Sequence, residues 1–187
     1  LSIDERATLC NMATECSGRT GICEADEALL EGLPNAQPHL SREEQLAQFV
    51  APDPGARYDG GVHTINLSDI QPMVAHPGDP NKGIPSDPTN GANVTDIGEV
   101  VIDIAYGGSC TAGKEDDIAY YAEVCLAAKE AGLQVKSGVD FYIQYGSGQV
   151  KQMSVNKGWH TLFRQVGVKL IDPGCGACIG AGPGVSI

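Results

Sequence analysis

Three cysteines sit where two strand-like segments run out: Cys110 in Tyr-Gly-Gly-Ser-Cys-Thr (106–111), and Cys175 and Cys178 in Pro-Gly-Cys-Gly-Ala-Cys-Ile-Gly (173–180). A structural zinc is closed by four ligands, whereas a cubane iron–sulfur cluster held by three thiolates leaves one iron open to a substrate. Three thiols therefore suggest chemistry at iron. Taken alone, the Cys-x-x-Cys pair of Cys175 and Cys178 also reads as a redox dithiol, as half of a zinc site or as coincidence. Gly107, Gly108, Gly174 and Gly176 flank the cysteines and lack side chains, so backbone amides could approach cluster sulfurs and donate hydrogen bonds to them.

Something must bring Cys110 to the other two. From Glu99 the pattern turns regular: an apolar run at 100–106, a helix at 115–131, a second run at 139–145, a helix at 149–165 and a third run at 168–171. This β-α-β-α-β order predicts an α/β fold, a three-layer unit with a parallel sheet covered on both faces, joined by right-handed crossovers. Both strand ends, 107–111 and 172–178, then share one edge, the carboxyl edge at which open parallel sheets bind ligands.

Ahead of this α/β domain (98–187) lies a helical and irregular lobe (1–97). Ser2 and Glu5 have capping-box spacing, and Ile3, Ala7, Cys10, Met12 and Ala13 continue a helix to about 17–18. A second helix is expected at 25–33, stopped by Pro34. A third begins at Ser41, whose partner is Glu44, and ends by Pro52 and Pro54. One strand candidate, 61–67, precedes a long Pro/Gly-punctuated loop at 77–93, long enough to suggest function or packing against something else.

Of the 187 residues 42% are apolar and 24 are glycine, a globular composition. The formal charge of −12, from 12 basic and 24 acidic side chains, repels a polyphosphate backbone and argues against nucleic acid as the main partner. An anionic small substrate would need cations or a metal concentrated at the site, and only Arg6, Arg19, Arg42, Arg57 and Arg164 supply guanidinium groups. No apolar run approaches the ~20 residues of a membrane span and no signal peptide opens the chain, so no membrane partner is expected. Seven cysteines, an odd number without an export signal, favour thiols and metal ligands in a reducing compartment, the cytoplasm or an organelle matrix. Cys10, Cys16, Cys23 and Cys125 read as inert thiols. His39, His63, His76 and His160 fall in no motif.

The motifs at 108–111 (Gly-Ser-Cys-Thr), 146–148 (Gly-Ser-Gly) and 173–180, in that order and spacing, resemble the aconitase and isopropylmalate dehydratase family. The opening stretch 1–15 resembles that family's helix of the form Arg-x-Thr-x-Cys-Asn-Met-x-x-Glu, so the likeness covers nearly the whole chain. The resemblance implies a hydro-lyase that removes and re-adds water on a hydroxy-polycarboxylic acid at a [4Fe-4S] cluster, with Cys110, Cys175 and Cys178 as ligands. It also implies that Asn11 lies near the cluster and that Glu15 bonds the substrate hydroxyl or the iron-bound water. Without it the two would read as a solvated helix face; their i, i+4 spacing places them on one face of a helix.

The cysteine motif is closer to citrate-type aconitases, the first helix closer to isopropylmalate dehydratases, and homoaconitate dehydratase is a further alternative. Two departures stand out. Ala112 replaces an amide residue common beside the first ligand. The family's Asp-Ser-His segment, its Asn-Arg-Asn-Phe segment and the swivelling domain with the catalytic serine have no counterpart in these 187 residues. The expectation is therefore an inactive piece of a longer enzyme, whose partners are its remaining domains and a di- or tricarboxylic acid. A non-catalytic metal-binding or interaction module is the alternative of another class. An RNA-binding role is disfavoured by charge.

Overall fold

The computed structural model describes residues 1–85 and 89–183. The chain divides into two compact units, Leu1–Ala51 with Asp103–Ile187, and Pro52–Ile102.

The first unit opens with helix α1 (Ile3–Asn11), started by the expected capping box: the Glu5 amide donates to Ser2 Oγ at 3.1 Å and the Ser2 amide to Glu5 Oε2 at 2.6 Å. The helix stops at Asn11, capped by Met12, rather than running to 17–18. Beyond it the chain winds through three-residue turns (Glu15 N–H to Met12 O 3.2 Å, Cys16 N–H to Ala13 O 3.2 Å). Gly18 N–H closes them on Ala13 O at 2.8 Å, with Ser17 at φ +63°. The cause is missing burial: no residue of α1 is buried, and a short helix without a buried stripe gains little from another turn. Helix α2 (Glu27–Ala36) runs past Pro34, where a stop was expected; the proline costs one backbone donor and the helix ends two residues later. Helix α3 (Arg42–Leu46) carries the anticipated Ser41/Glu44 capping box.

In the second unit the only strands among the described residues are β1 (Met73–Ala75) and β2 (Gly91–Asn93), antiparallel with Val74 opposite Ala92. The strand expected at 61–67 does not form: Val62, Ile65 and Leu67 are exposed, and without a partner strand or a covered face nothing stabilises an extended ladder. Part of the loop expected at 77–93 lies outside the described residues; the described part contains a 3-10 turn at Pro80–Lys82 and β2.

Returning to the first unit, β3 (Ile104–Gly108), α4 (Ser109–Ala112), α5 (Glu115–Glu130), β4 (Asp140–Gln144), α6 (Gly148–Asn156), α7 (Trp159–Gln165) and β5 (Lys169–Ile171) complete an α/β fold. The sheet is parallel in the order β3-β4-β5, with Tyr106 beside Tyr142, Gly108 beside Gln144, and Gln144 beside Ile171. Strand β3 begins four residues later than periodicity suggested, and residues 100–102 stay exposed outside the sheet. The single helix expected at 149–165 is two, because Gly158 at φ +77° turns the chain between α6 and α7.

Both crossovers step the sheet in the same direction, so Ile118, Ala122 and Cys125 of α5 and Leu162 and Phe163 of α7 meet on one face. They form a core there with Ile143, Tyr145, Val166 and Val168. Residues of opposite parity along β4, Tyr142 and Gln144, share the other face with Tyr106 of β3. No helix among the described residues is long and apolar enough to cross a membrane.

Candidate functional site at the carboxyl edge of the sheet

Cys110 follows β3 on a sharp strand-to-helix turn. Gly108 adopts φ 102°, ψ −134°, and Ser109 sits at φ +73°, a left-handed conformation that a non-glycine residue holds only when its surroundings enforce it. The enforcement is visible. A Cβ on Gly108 would overlap the carbonyl oxygen of Gln144, one on Gly113 would lie 2.7 Å from the Gly146 nitrogen, and Gly146 N–H donates to Gly113 O at 2.7 Å. The turn that carries Cys110 is thus pressed backbone to backbone against the end of β4.

Helix α1 docks on the same turn. Asn11 Nδ2 donates to Thr111 Oγ1 at 2.8 Å, Thr8 Oγ1 to Thr111 O at 3.2 Å, and Ser2 Oγ to Asp116 Oδ2 at 3.2 Å, while the Asp116 amide donates to Asp4 Oδ2 at 3.2 Å. The Lys114 ammonium donates to Thr111 O and, at 3.0 Å, to Asp117 Oδ2. The exposed Cys110 thiol is held below its ordinary pKa, chiefly because the Asn11 amide donates to it; burial opposes this, and Thr111, the Cys110 backbone amide and Ser109 reinforce it. The thiolate is the ligating form, so these donors favour metal binding.

Cys175 and Cys178, also exposed, lie just beyond β5, in a loop ending in the 3-10 turn Ala177–Ile179. Two residues absent from the sequence reading hold that loop. Gln144, 1% exposed, donates through Nε2 to Asp172 O at 3.1 Å and Gly174 O at 2.9 Å, and its Oε1 accepts the Tyr106 hydroxyl at 2.5 Å. Burial pushes the Tyr106 phenol up, the Ala177 backbone amide bonded to its oxygen opposes this, and the Cys178 charge adds to it. A Cβ on Gly176 would lie 2.6 Å from Tyr106 Oη and 2.7 Å from Gln144 Oε1. The available signal was one polar residue ending an otherwise apolar strand, Gln144 after Ile143.

The structure therefore joins Asn11 to the turn that carries Cys110, through Thr111, and ties the loop of Cys175 and Cys178 through Gln144 to Tyr106 of the strand that leads to Cys110. Glu15 does not share the helix that carries Asn11. It occupies an exposed turn after α1 ends, so the shared helix face expected for Asn11 and Glu15 does not exist, and its carboxylate bonds no described residue. His160 instead bonds Tyr145 Oη through Nδ1 at 3.0 Å, and His63 bonds Gly60 O. Cys10 and Cys23 face one another as free thiols at 3.6 Å. At Ala112, where an amide was missed, the carbonyl oxygen accepts from Tyr121 Oη at 3.2 Å.

Among the described residues no three His, Cys, Asp or Glu side chains converge on a point that would hold one metal ion. A cubane makes a different demand, because each protein thiolate binds a different iron and the sulfurs are spread across the cluster. Three exposed thiols at one sheet edge, two of them in a glycine-lined loop, match such a group in the number and type of donors and are one ligand short of a closed four-ligand zinc site.

The chain is 31% identical to the 3-isopropylmalate dehydratase large subunit 1 of Methanopyrus kandleri, over 99% of its own length and 40% of that protein's. It is 31% identical to the large subunit from Moorella thermoacetica (99% and 39%) and 30% identical to large subunit 2 of Archaeoglobus fulgidus (99% and 40%). It spans about 40% of the length of these curated relatives. The profile of the aconitase family (aconitate hydratase), whose cofactor is a [4Fe-4S] cluster, matches residues 1–186, and the chain belongs to that family.

Proposed function

We propose that this chain is the cluster-binding part of a hydro-lyase that dehydrates and rehydrates a hydroxy-carboxylic acid of the 3-isopropylmalate type. Cys110, Cys175 and Cys178 are the assigned ligands. The observation that carries the reading is the Cys110 turn, where backbone strain, glycine packing and the Asn11 donor converge on one exposed thiol. The names of the curated relatives support isopropylmalate over citrate, and the term large subunit supports a complementing small subunit as partner.

When bound, the cluster would supply a Lewis-acidic iron for the substrate hydroxyl. The chain's own residues do the rest that this part can do. Asn11 and Thr111 orient the Cys110 turn and favour the thiolate form. Exposed Glu15 is assigned to hold the proton exchanged with the departing hydroxyl, a role open to a carboxylate that bonds no other group among the described residues. Of the lysines at the site edge, Lys114 is engaged with Thr111 and Asp117, and Lys151 with Asp172.

Anaerobic reconstitution of the full-length protein with iron and sulfide tests this. Expected are about four irons per chain and activity on 3-isopropylmalate exceeding that on citrate once a small subunit is supplied. Equal, negligible iron in wild type and in the Cys110→Ala, Cys175→Ala, Cys178→Ala variant would end the reading. Iron binding with preference for citrate would return the substrate to the aconitase type.

A further inference from the structure

The end of β4 would ordinarily be finished with an aliphatic side chain, since Ile143 before it and Tyr145 after it are fully buried. Gln144 stands there instead, and an amide in such a place costs free energy unless each polar atom is bonded. Every one is. Its two amide hydrogens go to the carbonyls of Asp172 and Gly174, and its oxygen takes the Tyr106 hydroxyl. Tyr106 Oη also packs against Gly176, where an added Cβ would lie 2.6 Å from it. Backbone groups at 172 and 174 are thus tied to β4, which Tyr106 of β3 braces, and Gly176 rests against both side chains where a Cβ has no room.

The held groups alternate with the thiols: 174 precedes Cys175, and 176 lies between it and Cys178, while both thiols remain exposed. Such a loop is fixed by its backbone and free at its side chains. We infer that Tyr106 and Gln144 form a clasp that sets the 172–178 loop in its ligating shape before any cluster is present. They are positioning residues that shorten the search the loop must make at cluster uptake and slow its departure afterwards. Only the cluster half of this inference rests on the proposed function; the clasp is a property of the metal-free chain. Preorganisation of this kind raises affinity by removing ordering cost from the binding step.

The variants separate the halves of the clasp. Tyr106→Phe deletes the hydroxyl and leaves the two donors of Gln144 in place. Gln144→Leu fills the site and strands two carbonyls. The test has two readouts in the full-length protein. Hydrogen–deuterium exchange of the metal-free form should accelerate roughly tenfold within the 172–178 loop in Tyr106→Phe, the loss of the one hydrogen bond that braces Gln144. In Gln144→Leu it should accelerate across 172–178, with the β4 amides unchanged. After anaerobic reconstitution, loss of cluster absorbance to an iron chelator should be several-fold faster in both variants than in wild type.

Unchanged loop exchange in Tyr106→Phe overturns the clasp, as does acceleration spread equally over the whole sheet, which would mark a general loss of stability. If Gln144→Leu does not fold, Tyr106→Phe still decides. Accelerated exchange in a protein that takes up no iron in any form would uphold the clasp and sink the proposed function. Cluster uptake with unchanged exchange and unchanged release would do the reverse.

Discussion

The α/β unit and the Pro52–Ile102 unit are built on opposite principles. In the first, Ile118, Ile143 and Phe163 are 0% exposed and come from α5, β4 and α7, so long-range burial dictates the conformation. In the second no described residue is buried, and Val62 and Val101 are 83% and 87% exposed. Local bonds shape it instead: Asn66 Oδ1 caps the Ser68 amide at 3.2 Å, Asp79 Oδ1 caps the Asn81 amide at 3.1 Å, and β1 and β2 pair over three residues each. The difference teaches where precision is available. The three cluster-type cysteines are all carried by the unit with a core, and a loop anchored to packed strands can hold a geometry that a chain of turns cannot.

The sharpest way to break that contrast is to truncate one side chain in each unit. Phe163→Ala should cost about 3–5 kcal/mol by the cavity it leaves, and Val101→Ala within about 0.5 kcal/mol, both read as midpoints of urea unfolding by circular dichroism. Comparable losses would mean that the exposed unit has a core after all. A glycine pair narrows the question to backbone. Gly108→Ala meets both φ +102° and the Gln144 carbonyl and should cost about 2 kcal/mol or more, whereas Gly98→Ala, at φ +65° with open space around it, should cost about 1 kcal/mol.

A third prediction concerns pH. Burial, helped by the charges of Arg164 and Lys151, lowers the His160 pKa below its usual 6.5. The unfolded chain therefore takes up this proton before the folded one does. The contribution is present above about pH 6.5, and is lost as pH falls through the lower folded value. His160→Gln, replacing the group bonded to Tyr145, should flatten stability against pH in that window; an unchanged slope would show that another group titrates there.

Much of this architecture could be read in advance. The parallel β-α-β-α-β order and the shared edge of its strand ends came from continuous apolar runs and crossover length, and both capping boxes from Ser-x-x-Glu spacing. Where the reading failed, burial or its absence decided. The first helix stopped at Asn11 because Met12 and Ala13 meet no core, and 61–67 formed no strand because alternation without a covered face is not a ladder. Gly158 was legible as a breaker only with hindsight of its φ. At the site, Cys110, Cys175 and Cys178 were visible by type and spacing, but Tyr106 and Gln144 were not. Their role depends on register, Gly108 beside Gln144 and Tyr106 beside Tyr142, which no local pattern encodes.

Helix α1 lies between the two principles: it serves the site through Asn11 yet buries nothing. Its tie to α2 is a bidentate pair, Arg6 Nη1 and Nη2 to the Asp26 carboxylate, both at 2.7 Å. The pair, with the amides of Leu29 and Ala28, pulls the Asp26 pKa to about 2. A lowered carboxylate pKa means stabilisation that is complete above the unfolded value near 4 and lost as pH falls toward 2. Asp26→Asn keeps an oxygen for the two amides and removes only the ion pair. Because the pair is exposed and screened by salt, the expected effect is local and small. Amide exchange in α1 should quicken in the variant at neutral pH, β4 exchange should not move, and wild type should converge on the variant between about pH 4 and 2. Equal quickening in β4 would show that α1 is coupled to the core, and the distinction between a region held by burial and one held by polar bonds would then fail at the very helix that bonds the Cys110 turn.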